Sequence, residues 1–183
     1  TFRDTTIYHR GSGLYPVSIV NFNEVTFIDT IVAGGDASDA GGTNEAACIY
    51  LGPNGGGAGR LTIDGLTLKD AVLPIEFSAT AFATDGIKAR NITLRGITTP
   101  TFPVALMNAI IRDQSGRLSP LQVPFSAAND LTTDAAAAVQ AALTALKTYG
   151  GGTLDLTGDF KIINGVALDS GDDITIFSGG GRI

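Results

Sequence analysis

Leu61-Thr62-Ile63-Asp64-Gly65-Leu66-Thr67-Leu68 reads apolar-x-apolar-x-x-apolar-x-apolar, and the same template falls on Val20, Phe22, Val25, Phe27 and on Ile87, Ala89, Ile92, Leu94. Alternation of this kind has the period of a strand, whose successive side chains point to opposite faces. The close of the unit also aligns Thr1-Phe2-Arg3-Asp4 with Thr26-Phe27-Ile28-Asp29, Thr67-Leu68-Lys69-Asp70 and Thr93-Leu94-Arg95-Gly96. The last apolar position of each unit then falls at 2, 27, 68 and 94, giving spacings of 25, 41 and 26. Two near-equal periods predict a solenoid of strands with one coil per repeat. Its chemistry has to lie on the outer face.

Composition narrows the classes. The 183 residues include 24 glycines, no Trp and only 16% charged residues, which suits tightly turning β architecture. A formal net charge of -6 argues against a protein that grips phosphate backbones, so no nucleic-acid partner is expected. Cys48 is the single cysteine and leaves the redox compartment open. No segment has the uninterrupted apolar length of a membrane span, and no signal peptide is visible. The chain begins inside a repeat and stops inside a strand pattern, as a fragment of a longer polypeptide would.

In chain order, residues 1–108 hold the repeats, 109–130 read as a connector, and 131–183 form a second region. Between the second and third units lies Ala33 to Arg60, Gly-rich and carrying Asp36, Asp39 and Glu45. The apolar run Ala46-Ala47-Cys48-Ile49-Tyr50-Leu51 inside it can form one more strand, so the extra length is an added short coil or a loop protruding from one edge, either lining a binding face or flexible and solvated. The connector contains the polar turn Arg112-Asp113-Gln114-Ser115-Gly116, and Pro120 and Pro124 forbid a continuous helix or central strand. Residues 131–149 predict one helix. Thr132, Thr133 or Asp130 caps it, and Asp134 sits in its first turn. Val139, Ala142, Leu143 and Leu146 form its buried stripe, and Gly150-Gly151-Gly152 stops it.

The run Asp130-Leu131-Thr132-Thr133-Asp134-Ala135-Ala136-Ala137-Ala138-Val139-Gln140-Ala141-Ala142-Leu143, followed by Gly150-Gly151-Gly152-Thr153-Leu154, resembles the opening of the pectate-lyase-like right-handed parallel β-helix superfamily. Ile176-Phe177-Ser178-Gly179-Gly180-Gly181-Arg182 is similar to the element that follows in that family. The resemblance covers 130–183 by motif and the earlier coils by pattern. It implies an all-β chain, a right-handed parallel β-helix with one capping α-helix at about 131–149. Because coils precede the helix, the arrangement is tandem or permuted. The family includes phage tailspikes and tail appendages as well as secreted polysaccharide-degrading enzymes. The implied function is therefore a virion-associated, extracellular β-helix that binds cell-surface polysaccharide or serves as scaffold, as a trimer or within a larger assembly. The alternatives are a secreted polysaccharide lyase or glycoside hydrolase, and a non-enzymatic adhesin. In trimers of such helices, positions such as Ile28 or Phe102 would be interface.

On the expected outer face the repeats stack Asn21, Thr62 and Lys88; Asn23, Asp64 and Arg90; Ile28, Lys69 and Arg95; and Asp4, Asp29, Asp70 and Gly96. Carboxylates roughly 5–9.5 Å apart can cleave a glycosidic bond, so Asp29 and Asp70, with Asp64, are the candidate catalytic residues. A lyase would instead use calcium held by acidic residues, with Arg90 or Arg95 as base. No other cofactor is indicated. The competing reading is structural: Asp closes turns, and Asp64 beside Arg90 makes a surface ion pair. His9, the only imidazole, excludes a multi-His metal site within this chain and reads as a surface residue at a corner. Gly171-Asp172-Asp173 reads as a turn. Gly52 to Gly59 lacks the Lys-Ser/Thr ending of a phosphate loop. Tyr8, Tyr15 and Tyr50 can stack on sugar rings, but the scarcity of aromatic residues makes an extended sugar platform weak.

Overall fold

The computed structural model describes residues 1–9, 15–34, 47–52, 59–78, 82–127, 129–169 and 172–180, with backbone only at 83–85. Asp36, Asp39, Glu45, Gly171, Gly181 and Arg182 lie outside the described residues. The described chain is mostly strand, paired throughout in parallel, with two helices. Its contacts divide it into two compact units, Thr1–Ala109 and Ile110–Ile183.

The first unit alternates between two parallel sheets. One contains β1 (Phe2–Arg3), β2 (Thr6–Tyr8), β4 (Glu24–Ala33), β6 (Gly59–Ala71) and β8 (Phe82–Ile97), ordered β1-β4-β6-β8 with β2 also on β4. The other is β3 (Val17–Ile19), β5 (Ala47–Leu51) and β7 (Leu73–Phe77), in that order. Apolar residues meet their own kind across the strands. Val25, Leu61 and Ile87 are in register, as are Phe2, Phe27, Ile63 and Ala89, and then Ile7, Val32, Leu68 and Leu94. Phe2 and Phe27 stack at 5.1 Å and 8°. In the second sheet Val17, Ile49 and Ile75 form the equivalent buried row.

The doubled x of the template has a structural cause. Between Ile63 and Leu66 the chain passes through Gly65 at φ 77°, a left-handed residue that shifts the phase of alternation by one. Asn91 (φ 56°), Asp29 (φ 44°) and Asp4 (φ 48°) do the same at the equivalent places on their strands. Asn and Asp tolerate this region better than other side chains, and Gly enters it without steric cost. The frame through β4 is therefore Val25, Phe27, Thr30, Val32, and not Val20, Phe22, Val25, Phe27. The register of Phe27 with Ile63, against the expected Phe27 with Leu68, displaces that repeat by five residues. Thr30 fills the third inward position, 1% exposed, by donating its hydroxyl to the Ile28 carbonyl at 2.9 Å. The other two repeat alignments, Phe2 with Phe27 and Leu61 with Ile87, match the register.

The expectation of a single helix is corrected by α1 (Val104–Asp113), which overlaps the stretch read as the start of a connector. Leu106, Met107, Ile110 and Ile111 are buried, the paired spacing of one helical face. Its end is a Schellman turn: Gly116 N–H donates to the Ile111 carbonyl at 2.9 Å and Ser115 N–H to that of Arg112 at 3.0 Å, with Ser115 left-handed.

The second unit holds β9 (Arg117–Leu118), α2 (Ala136–Tyr149), β10 (Gly152–Asp155) and β11 (Ile174–Phe177), the strands forming a parallel sheet ordered β11-β10-β9. α2 buries Val139, Ala142, Leu143 and Leu146 and ends on left-handed Gly150, as its pattern predicts. Its start differs. Asp130 accepts the N–H groups and hydroxyls of Thr132 and Thr133 in a turn before the helix, and Asp134 accepts Ala136 N–H at 3.0 Å. Asp134 also accepts Ile163 N–H at 3.1 Å, Gln140 accepts Ala167 N–H at 2.8 Å, and Lys147 reaches Asp169 at 2.7 Å and Asp172 at 3.2 Å. Three polar side chains thus tie residues 163–169 and Asp172 to the helix and the turn before it. Across the sheet Arg117 pairs with Asp155 at 2.8 Å and lies 4.6 Å over the Phe177 ring.

Two consequences are measurable. A Cβ at Gly65 would collide with the Asp29 carboxyl and would sit on a positive φ. Gly65→Ala is therefore expected to cost about 2 kcal/mol or more in urea unfolding, while Asn91→Gly, which relieves a positive φ but loses the amide's hydrogen bond to Asp64, is expected to cost less. Asp130 is held at about 2, below the ordinary 3.8, by the N–H groups of Thr133 and Thr132 and then the Thr132 hydroxyl. Because the folded value is lowered, the stabilisation is present above the unfolded value and disappears as pH falls from 3.8 towards 2. Carboxyl NMR titration of Asp130 should give that low midpoint.

Candidate functional site

The outer face of the β4-β6-β8 sheet is built of residues that alternate with the buried rows. Thr26, Thr62 and Lys88 form one register row; Ile28, Asp64 and Arg90 the next; then come Ile31, Thr67 and Thr93, and finally Lys69 and Arg95, whose row partner Ala33 is buried. Strand spacing of about 4.8 Å sets the distance between neighbours within a row. The face is polar and mixed in charge, with its cations concentrated on β8, where Lys88, Arg90 and Arg95 are exposed.

The three candidate aspartates occupy different positions in this frame. Asp29 lies in the left-handed corner opposite Asp4 and Gly65, its carboxyl oxygen lodged over the Gly65 Cα. Asp70 lies in a second corner, also left-handed at φ 55°, with its carboxyl over Gly96. The expected stacking of Asp29 on Asp70 does not occur, because Lys69 faces Ala33 and not Ile28. Asp29 and Asp64 are brought onto adjacent strands, Asp64 opposing Ile28. Asp64 is half-buried and forms an ion pair with Arg90 at 2.5 Å. It also accepts the Asn91 amide at 2.8 Å. Arg90, then Asn91, hold its carboxyl below the ordinary carboxylate value. The sequence pairing of Asp64 with Arg90 is thus present, and the Asn91 contact adds to it. The rows expected to include Asn21, Asn23 and Ile28 carry Thr26, Ile28 and Ala33 instead.

Other singled-out residues have structural partners. Cys48 is buried and its thiol donates to the Lys69 carbonyl at 3.3 Å. His9 continues the edge of β2, its N–H donating to the Ala33 carbonyl at 3.2 Å. Asp172 pairs with Lys147, and the Asp173 carbonyl accepts Gly152 N–H at 2.9 Å, so this stretch serves the second unit's packing. Among the described residues no three His, Cys, Asp or Glu side chains gather as a metal ion would require. Among them, too, no helix is long and apolar enough to cross a membrane. Ile28 and Phe102, expected at an interface, are half-buried.

A feature absent from the sequence reading lies on the second sheet. There Ser18, Tyr50 and Glu76 form the outward row, and Tyr15 stacks on Tyr50 at 4.9 Å and 25° while donating its hydroxyl to Glu76 at 2.9 Å. Tyr15 and Tyr50 stood out only as separate aromatics. Sixty-one residues separate Tyr15 from Glu76, so only the sheet register unites them.

Comparison with protein-family models, with curated proteins and with solved structures finds no match to this chain.

Replacing Arg90 tests the electrostatics of the Asp64 corner. In Arg90→Ala the Asp64 carboxyl loses its main stabilising donor, so its NMR titration midpoint should rise towards 3.8. An unchanged midpoint would mean that Asn91 alone holds the carboxylate.

Proposed function

We propose that this chain contributes coils of a right-handed parallel β-helix, with α2 as a cap, and that it belongs to a virion-associated or other extracellular appendage that binds cell-surface polysaccharide. The observation that carries the reading is the row structure of the outer faces. Parallel strands in register repeat the same outward position one strand spacing at a time, and a repeating polymer is the ligand class such a surface suits. Alternation of the chain between two parallel sheets, with left-handed residues at equivalent corners, supports the coil geometry. The Ala136–Tyr149 helix, entered from Asp134 and left through Gly150-Gly151-Gly152-Thr153, supports the family resemblance on which the appendage reading rests.

Binding without cleavage is the form favoured by the site. Asp29 and Asp70 occupy separate corners as turn-forming residues, and the Asp64 carboxylate is engaged by Arg90 and Asn91. A retaining or inverting pair needs two carboxyls facing one bond, one of them protonated near neutral pH. A carboxyl held below its ordinary value is the wrong acid for that role.

The full chain, incubated with a panel of bacterial surface polysaccharides, glucans and polygalacturonate, is expected to co-sediment with at least one of them and to release no reducing ends. Light scattering on the same sample should report the trimer that the appendage reading implies. Release of oligosaccharides that is abolished by Asp64→Asn would replace this reading with a lyase or hydrolase. Failure to bind any polymer would leave scaffold as the role.

A further inference from the structure

We propose that the outer face of the β3-β5-β7 sheet carries a binding site for a neutral pyranose unit, formed by Tyr15, Tyr50 and Glu76. This rests on the polysaccharide-binding reading above and places one contact of that binding on a sheet opposite in character to the cationic β8 face. The three side chains come from separate parts of the chain and meet because Ser18, Tyr50 and Glu76 share one register row. Tyr15, just ahead of β3, closes over Tyr50 and is anchored to Glu76 through its hydroxyl.

The chemistry of the cluster matches a sugar ring. A pyranose offers one face of C–H groups and a rim of hydroxyls. Tyrosine rings present a large, rigid contact area with an electron-rich face, at a low cost in side-chain entropy. The Glu76 carboxylate has two oxygens, and Tyr15 engages one of them, Oε2. Hydrogen bonds from sugar hydroxyls to a carboxylate are charge-assisted and stronger than those to neutral acceptors. Ser18, exposed at the far side of the row, supplies a hydroxyl that both donates and accepts. The Tyr15 hydroxyl is kept protonated, its pKa raised chiefly by the hydrogen bond to Glu76, so the clamp stays intact at neutral and mildly alkaline pH.

Two further details shape the site. Val20, 52% exposed, extends the apolar surface beside Tyr50. At Gly52 a Cβ would run into both Val20 and the Tyr50 ring, so a residue without a side chain there lets the ring lie along the strand. The same carboxylate that binds hydroxyls repels an acidic sugar, because a uronate would bring a second negative charge to Glu76 without a cation in the row. The site therefore selects neutral hexose units over uronates.

The chain has no Trp and four Tyr, so its fluorescence sums Tyr8, Tyr15, Tyr50 and Tyr149, and the change assigned to this site is the part lost in Tyr50→Ala and kept in Tyr8→Ala. Titration of the full chain with gluco- and galacto-oligosaccharides should change that signal saturably, and polygalacturonate should compete poorly. Glu76→Gln, which preserves shape, and Tyr50→Ala should each weaken binding about tenfold or more. Tyr15→Phe keeps the stacked ring and should weaken it less. Tyr8→Ala, an exposed tyrosine on the other sheet, should leave it unchanged. Neutral-glycan binding that survives Glu76→Gln and Tyr50→Ala undiminished would overturn this site and leave the general reading standing. Preferential binding of polygalacturonate would also overturn it. No binding of any glycan by the unmodified chain would remove both.

Discussion

A strand in this protein cannot bend where it pleases, because its neighbour must bend at the same level. Parallel pairing in register forces Asp4, Asp29, Gly65 and Asn91 to leave the β region together. Were one of them to stay extended, the inward and outward faces beyond it would exchange, and Val32, Leu68 or Leu94 would turn to solvent. The corner also packs against itself: the Asp29 carboxyl fills the space that a side chain at Gly65 would occupy, and Asp70 does so over Gly96. Glycine and a short acidic residue on adjacent strands are therefore one steric unit. The aspartates that look most like chemistry in the sequence are first of all the means by which the sheet turns.

That constraint also decides what could be read beforehand. The apolar template and its double gap were legible, and so were the strand periodicity, the stripe of α2 and its glycine stop. The five-residue displacement of one repeat arose because Thr30 fills an inward slot that the template reserves for an apolar residue. Val20-Phe22-Val25-Phe27 meets the apolar pattern by coincidence, but it would have placed Glu24 in the left-handed position, which a longer side chain occupies poorly. Requiring Gly, Asn or Asp at the second gap position would have selected the correct frame. α1 was missed because the turn signal Arg112-Asp113-Gln114-Ser115-Gly116, read as part of a connector, is the helix's own C-terminal stop.

The candidate sites differ in legibility for the same reason. Asp64 and Arg90 are one repeat apart and lie within one of the two pairs of units whose spacing was read correctly, so their pairing was accessible. Tyr15, Tyr50 and Glu76 belong to the second sheet, whose strands of three to five residues are too short to show a repeat. Charge follows architecture as well. The acidic net balance hides a basic outer row on β8, beside the two acidic corners of β6, and averages over the chain erase that contrast.

The strap over α2 bears on the order in which the second unit is assembled. The helix draws on contacts three and four residues apart, while Asp134, Gln140 and Lys147 reach partners 22 to 30 residues downstream. Closing such loops carries an entropic cost that grows slowly with length, and the polar contacts return little until the helix presents its side chains in a line. Segment 161–169 is thus a late passenger on an early helix. Held by side chains and by a single bridge at Lys161, it is the first part of the unit to open when the fold breathes.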